Sequence, residues 1–251
     1  MFPRIFAGAP GATPLVRTSG HRAWMSWSSG KDSALALDVA RRQLGLDVES
    51  LLVTVNSEAD RVAMHAVRRS LLEMQAERLG LALQVVHIPS PCPNDVYEAR
   101  MSEAVSTALS RGVDRVVFGD LFLEDVRAYR ESALAGTGMA PVFPLWGRPT
   151  EELARHMLEV GIRAVVTCVD PRQVPGSLAG RFYDERFLAD LPPGADPCGE
   201  RGEFHTFVYD GPGFRSPIEI EVGEVVERDG FVFCDVRPGD TSGQRGARAS
   251  R

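Results

Sequence analysis

The chain has 251 residues, of which 44% are apolar and 25% are charged, and its formal net charge is −6. This length can form one large or two small domains with a buried core, and the composition excludes a wholly disordered protein. The excess of acidic over basic residues excludes a strongly basic surface for nucleic acid and leaves room only for a local basic patch. No apolar run approaches the length of a transmembrane helix, and residues 1–20 lack the apolar run of a signal peptide.

The spacing of the cysteines and histidines argues against a disulfide framework or a zinc site. The four cysteines are widely separated without a CxxC pair, and the five histidines form no HExxH pattern. We therefore predict reduced thiols, a cytoplasmic location and no metal site built from protein ligands alone.

Strand-like and helix-like segments alternate along the chain up to Asp120. The near-continuous apolar run Leu51–Val55 is typical of a strand that is covered on both faces of a parallel sheet. The alternation predicts an α/β fold, an open parallel sheet with helices on both faces. Ligands bind such sheets at the carboxyl ends of the strands, which here carry Ser28–Ser33 and Gly119–Asp120. Strands are predicted at 23–27, 48–55, 83–88 and 115–118, and helices at 31–44, 61–79 and 94–110.

The rest of the chain predicts a smaller C-terminal α+β domain. Its last two strands form a hairpin with Asp229-Gly230 as the turn, and the chain from Asp170 is rich in proline and glycine. We place the domains at 22–148 and 149–237, with flexible tails at 1–21 and 238–251. Further strands are predicted at 142–143, 164–169, 218–226 and 230–236, and helices at 151–160 and 182–191.

A serine- and glycine-rich loop, Ser28–Ser33, connects the first strand to the first helix. The free N–H groups at a helix N-terminus attract phosphate. Gly30 lets the backbone approach an anion, and Lys31 can add a positive charge. The loop is not a Walker A motif, because Met25 and Asp32 stand where glycine and serine or threonine are required, and it is no GxGxxG fingerprint. The alternative is a capped turn without a ligand.

Two further segments carry candidate residues on or near the predicted rim. Asp120 can hold Mg²⁺ bound to phosphates or orient a nucleophile. Asp125 and Arg130 follow at helical spacing, and we interpret them as part of a solvated helix face with ion pairs such as Arg127 with Glu131. Trp146 is either a packing residue or a wall of a substrate site.

Acidic and titratable residues crowd the segment from Asp196 to Val208. These are Glu200, Glu203, His205 and Thr206. In an extended chain Glu203 and His205 would point the same way. Such a cluster suits acid–base chemistry or amine binding, whereas a histidine in a strand is otherwise a packing residue.

Four motifs, taken together in chain order, resemble the diphthine–ammonia ligase family over about residues 23–236. Ser28–Ser33 is similar to the pyrophosphate loop SGGxDS of the N-type ATP pyrophosphatases, with Ser29 in place of the first glycine. The more specific motifs are FGDLFLED at 118–125, PLWG at 144–147 and CGERGEFHTF at 198–207.

The resemblance implies a HUP-type nucleotide-binding domain whose ATP site faces a glutamate-rich loop of the smaller domain. It implies that a substrate carboxylate attacks the α-phosphate of ATP, which releases pyrophosphate, and that ammonia then displaces AMP to leave an amide. It implies ATP and Mg²⁺ as cofactors. It implies that ATP contacts Ser28, Ser29, Gly30, Lys31, Asp32, Ser33 and Gly119. It implies four catalytic residues, Asp32, Asp120, Glu203 and His205, of which Asp120 would also bind the metal. It implies that substrate or ammonia is bound by Glu200, Glu203, His205, Thr206 and Trp146.

The segment Gly199–Thr206 departs from the Gly-Glu-Gly-Gly-Glu-Tyr-Glu-Thr type of the archaeal and eukaryotic members and resembles the bacterial branch. Bacteria do not make diphthamide, so there the reaction type can persist with another substrate. One alternative is an enzyme that modifies RNA or a nucleotide, which the acidic charge and the lack of paired cysteines disfavour. Another is a non-catalytic ATP-binding sensor, which the separate acidic loop disfavours. A homo-oligomer is left open.

Overall fold

A computed structural model describes residues 20–57, 61–62 and 67–239. Most of the two predicted flexible tails lies outside the described residues. Pro238 nevertheless ends a strand and the Gly239 N–H donates to Glu219 O at 2.7 Å, so the second tail was predicted to begin too early.

The described residues form the following helices and strands in chain order. They are β1 (Arg22–Ser26), α1 (Lys31–Arg42), β2 (Asp47–Asn56), β3 (Arg61–Val62), α2 (Arg69–Leu79), β4 (Ala82–Ile88), α3 (Asn94–Ser110), β5 (Arg115–Val117), α4 (Glu124–Leu134), β6 (Ala140–Val142), α5 (Thr150–Glu159), β7 (Arg163–Val169), α6 (Glu185–Ala189), β8 (Phe204–Asp210), β9 (Ile220–Arg228) and β10 (Phe231–Pro238), with a 3₁₀ turn at Gly176–Leu178.

Five strands form the predicted parallel sheet, in the order β4-β2-β1-β5-β6. Neighbouring residues of β1 point to opposite faces, and Met25 and Trp24 accordingly belong to two separate buried clusters. The Met25 cluster includes side chains of α1 and α2, and the Trp24 cluster includes side chains of α3 and α4. Helices therefore cover both faces, which confirms the predicted α/β class.

Two predicted helices begin later than their sequence patterns indicate. The second was predicted from Arg61, but Arg61–Val62 pair antiparallel with the end of β2, which extends past β1, and α2 begins only at Arg69. That pairing satisfies backbone groups of β2 that β1 leaves free. The helix predicted at 182–191 begins after Asp184, whose side chain caps it by accepting from Phe187 N at 2.7 Å.

The C-terminal part forms a four-stranded antiparallel sheet in the order β8-β7-β10-β9. The predicted hairpin is confirmed, because β9 and β10 pair through a turn in which Asp229 and Gly230 have φ values of 54° and 78°. Phe204 and Phe207 of β8 belong to the same buried cluster as Met25 of the parallel sheet. The two sheets thus share one core.

Among the residues that the structure describes, no helix is long and apolar enough to cross a membrane. The four cysteines are free; Cys168, Cys198 and Cys234 are buried.

Candidate active site

A cleft of about 240 Å³ opens at the carboxyl ends of β1 and β5. Of the residues predicted to form the site, all except Ser29, Glu203 and Trp146 line it. The full lining is Ser26, Ser28, Gly30, Lys31, Asp32, Ser33, Phe118, Gly119, Asp120, Leu123, Val126, Arg130, Gly199, Glu200, Phe204, His205 and Thr206. The topology therefore brings the loop before α1, the end of β5, α4 and the loop before β8 to one place.

The backbone of the loop before α1 is held from behind by the C-terminal sheet. Ser29 has φ of 70°, in the left-handed region that glycine adopts more readily. Its carbonyl accepts hydrogen bonds from Val208 N at 2.9 Å and from Gln75 Nε2 at 3.1 Å. Buried Gln75 also donates to Val208 O at 2.6 Å and accepts from Trp27 Nε1 at 2.8 Å. Gln75 thus ties the loop to β8.

The front of the loop presents hydroxyl and N–H groups to the cleft. Ser28 Oγ lies 2.7 Å from Ser33 Oγ and accepts from Gly30 N at 3.3 Å. The Lys31 N–H donates to Thr206 Oγ1 at 3.2 Å. The N-terminus of α1 has no cap from its own side chains, so these donors are bound to hydroxyl groups that an anion can replace.

Two glycines allow the surrounding elements to approach this loop closely. A Cβ atom on Gly119 would lie 3.0 Å from Ser33 N, and one on Gly30 would lie 3.3 Å from Thr206 O. A side chain at Gly30 or Gly119 would crowd the backbone of the neighbouring element. The reason is this close approach and not a positive φ angle.

The Lys31 ammonium turns toward Asp32 and the loop before β8, and its predicted contact with phosphate stays a prediction. Its Nζ is buried, contacts both carboxylate oxygens of Asp32 at 3.1 and 2.9 Å, and donates to Cys198 O. It also lies 5.5 and 5.2 Å from the ring centroids of Tyr183 and Phe204. Burial acts to lower the pKa of Lys31, but the Asp32 carboxylate opposes it and the net pKa lies above the usual value.

Asp120 reaches the cleft as an ion pair with Arg130. Arg130 donates from Nε to Asp120 Oδ2 at 2.7 Å and from Nη2 to Asp120 Oδ1 at 3.2 Å. The interpretation of Arg130 as part of a solvated helix face was wrong, since its side chain turns back to the rim from which α4 starts. The predicted pair of Arg127 with Glu131 is confirmed at 2.7 Å.

Glu200 joins the loop before β8 to the end of β5. Its Oε1 accepts from Leu121 N at 2.7 Å. Burial raises the pKa of Glu200 to about 7, and the nearby carboxylates of Asp32 and Asp120 act in the same direction. This carboxyl group therefore exchanges a proton near neutral pH, which is the range that acid–base catalysis requires.

Glu203 faces its own loop instead of the cleft. Its side chain is buried, and its two oxygens accept from Asp196 N at 3.0 Å and from Arg201 N at 2.9 Å. It does not point the same way as His205, because β8 begins only at Phe204 and the chain turns before it. Burial, with a smaller effect of the Lys31 charge, lowers the pKa of His205 to about 4, so the imidazole is neutral at pH 7.

The profile of the diphthamide synthase N-terminal domain matches residues 21–141, and that of the diphthamide synthase C-terminal domain matches residues 149–239. The chain belongs to the diphthamide synthase family.

Members of this family with curated names are similar over most of both chains. The diphthine–ammonia ligase of Rattus norvegicus is 24% identical over 198 residues, covering 72% of this chain and 73% of that protein. The one of Bos taurus is 29% identical over 196 residues, with the same coverage. Among solved structures, the U34-tRNA thiolase NcsA from Methanococcus maripaludis aligns with a TM-score of 0.35 and 16% identity, over 57% of this chain and 59% of that chain.

The sequence analysis missed the roles of Gln75 and Arg130. Gln75 gave no signal beyond a polar residue in an amphipathic helix, and Arg130 was read as exposed. Trp146 is outside the cleft lining: its ring packs edge-on against Phe143, with centroids 6.0 Å apart, and lies 4.7 Å from the guanidinium carbon of Arg127. Of the two interpretations of Trp146, these contacts fit the packing residue.

Proposed function

We propose that the protein is an ATP-dependent ligase that adenylates a substrate carboxylate, releases pyrophosphate, and forms an amide with ammonia. The observation that carries the proposal is that two loops meet in one cleft. Thr206 of the C-terminal sheet accepts from Lys31 N in the loop before α1, and Glu200 accepts from Leu121 N beside Asp120. Burial raises the pKa of Glu200 to about 7, and such a shift in a cleft favours an enzyme over an ATP-binding sensor.

The donor set of the loop fits the phosphates of ATP. The N-terminus of α1 offers backbone N–H groups, Ser28 and Ser33 offer hydroxyl groups, and Gly30 and Gly119 keep the approach open. Ser29 and Lys31 support this surface from behind.

Carboxylate oxygens are suitable ligands for Mg²⁺. Asp120 would hold the ion together with phosphate oxygens, and Asp32 stands on the same cleft. Bound Mg²⁺ would neutralise negative charge on the leaving pyrophosphate.

The proposed reaction consists of two bond changes. A carboxylate oxygen of the substrate forms a bond to the α-phosphorus while the bond from that phosphorus to the bridging oxygen breaks. Ammonia then attacks the acyl carbon as the bond to AMP breaks. Glu200 takes the proton that the attacking nitrogen loses, and neutral His205 and Thr206 orient the amine. Glu203 acts indirectly, by holding the loop that carries Glu200.

We infer a member of the bacterial-type branch from Gly199–Thr206, with His205 in place of the third glutamate of the other type. A carboxylate other than diphthine is then the substrate.

The test is to identify the products from α- and γ-labelled ATP with Mg²⁺, ammonium, a pool of cell metabolites and no RNA. AMP and pyrophosphate are expected, and the carboxylate is recovered as a new amide. Ser28→Ala should slow pyrophosphate release, whereas Ser132→Ala, an exposed serine of α4, should not. ADP and phosphate as products would contradict the proposal, as would ATP binding without cleavage.

A further inference from the structure

The lining of the cleft contains two cationic side chains, Lys31 and Arg130. An ammonium group has three donors. Those of Lys31 point to Asp32 and to Cys198 O, and the side chain is only 2% exposed. Lys31 therefore has no accessible donor for a bound reactant, which leaves Arg130 as the cation that a reactant in the cleft can contact.

The side chain of Arg130 is accessible, and only some of its N–H groups donate hydrogen bonds to other described residues. Its side chain is 28% exposed, and a guanidinium group has five N–H donors. Within the described part of the chain Arg130 donates from Nε and Nη2, in both cases to Asp120. The remaining N–H groups extend the same planar fork, which matches the geometry of a carboxylate or phosphate.

A stack of aromatic rings fixes the plane of this guanidinium. Its carbon lies 4.5 Å from the ring centroid of Phe118, and Phe118 stacks on Phe143 with centroids 5.4 Å apart. Arg127 covers the other end, 5.0 Å from Phe143 and 4.7 Å from Trp146. Arg130 is therefore held by rings on its face and by Asp120 at its edge, so little side-chain freedom remains to be lost on binding.

We propose that Arg130 binds an oxyanion of a reactant in the cleft, with Asp120 and the Phe118–Phe143 stack holding its guanidinium in place. The identity of the reactant rests on the proposed function. Two oxyanions are then present, a phosphate of ATP and the carboxylate of the acyl substrate. Both would meet Arg130 across the cleft from the Ser28–Ser33 loop.

The experiment compares Arg130→Met and Arg130→Lys with Arg127→Met in the full chain. Arg127 is the matched control, since it lies on the same helix and the same aromatic stack but pairs with Glu131 outside the cleft lining. MgATP and magnesium pyrophosphate are titrated calorimetrically, and thermal melting confirms that each variant is folded. KM is also measured for the carboxylate that supports AMP formation in the labelled-ATP assay.

If the oxyanion is a phosphate, Arg130→Met weakens binding of MgATP or pyrophosphate about tenfold. Arg130→Lys should recover part of the loss, because it keeps the charge without the fork. If it is the carboxylate, nucleotide binding is unchanged and the KM for the carboxylate rises about tenfold instead. The proposal is overturned if neither quantity changes relative to Arg127→Met.

If the chain lacks the proposed ligase activity, the experiment gives a result that can be told apart from a wrong assignment of Arg130. If no AMP forms with the wild-type chain, the calorimetric titrations alone decide on Arg130. In that case unchanged binding of both MgATP and pyrophosphate overturns the assignment of Arg130, independently of the ligase chemistry.

Discussion

The two walls of the cleft are built in different ways. The Ser28–Ser33 wall is held by backbone hydrogen bonds from β8 and by the amide of Gln75, and several of its members are buried. The opposite wall consists of side chains of α4 and of Phe118, held by the Asp120–Arg130 ion pair and by stacked rings.

This difference separates a fixed surface from an adjustable one. The donor groups of a backbone wall do not depend on its exposed side chains, although they depend on buried supports such as Gln75, and such a wall suits a ligand part that never varies. A wall made of side chains on one helix can be altered one residue at a time, which suits the part of a substrate that differs between relatives.

The largest effect is expected from Asp32→Ala, which leaves the Lys31 ammonium buried without its carboxylate. Removing one partner of a buried ion pair costs about 3 kcal/mol of the free energy of unfolding, and turnover should be lost. Urea denaturation measures the first effect and pyrophosphate release the second. Asp125→Ala, an exposed carboxylate of α4, is the control. Unaltered stability and turnover in Asp32→Ala would mean that this wall does not depend on the pair.

A smaller loss is expected from Gln75→Leu. It removes the partners of Trp27 Nε1 and Val208 O and one partner of Ser29 O. Buried polar groups left unpaired in this way cost about 2 kcal/mol. Because the loop also loosens, the KM for ATP should rise. Gln75→Glu keeps only the acceptor for Trp27, so an effect of the same size there would identify the two lost donors as the important contacts.

Glu200 lies where the two walls of the cleft meet, and its ionisation should be visible in the pH dependence of the enzymatic rate. With a pKa of about 7, Glu200 is protonated in acid, so amide formation should fall about tenfold per pH unit below that value. At a fixed concentration of free ammonia, Glu200→Gln should remove this limb of the profile and leave a low, flat rate. A profile that keeps its limb in the variant would assign the proton transfer to another group.

The same shift has a consequence for stability. The pKa of Glu200 is raised by folding, so ionising it opposes folding and the wild-type chain loses stability as the pH rises through about 7. Glu200→Gln should therefore be more stable than wild type at pH 8 and similar to it below the unfolded pKa of the carboxyl group. Urea midpoints at the two pH values measure the difference.

The smallest effect is a gain of stability of about 1 kcal/mol in Ser29→Gly. Glycine relieves the left-handed backbone at φ 70° and removes a buried Oγ that has no hydrogen-bond partner in the described part of the chain. Thermal melting measures the gain. A loss of stability would show that the hydroxyl group contributes more than the strained backbone costs.

The sequence was sufficient for the parallel sheet and for the position of the cleft, because both follow from local patterns. Apolar runs such as Leu51–Val55 define buried strands, and the carboxyl ends of parallel strands share one rim. The Asp229-Gly230 turn is equally local, since its φ values are a property of two adjacent residues.

The roles of individual side chains were harder to predict, because they depend on partners distant in the chain. Gln75 bonds to Val208, 133 residues away, and Lys31 turns toward Cys198, 167 residues away. The direction of Glu203 depends on where β8 begins, and the loop before Phe204 gives no periodic signal from which to place that start. The spacing of Arg130 in the sequence shows that it lies in a helix. It does not show that the side chain reaches back to the cleft and pairs with Asp120.

The hydrogen bond from Val208 to Ser29 also orders events during synthesis. The loop is synthesised long before its support from β8, because Ser29 and Val208 lie far apart in the sequence. A nascent chain can therefore form the parallel sheet early and still lack the finished loop. We expect a chain that ends before Val208 to bind ATP poorly even where its parallel sheet has folded.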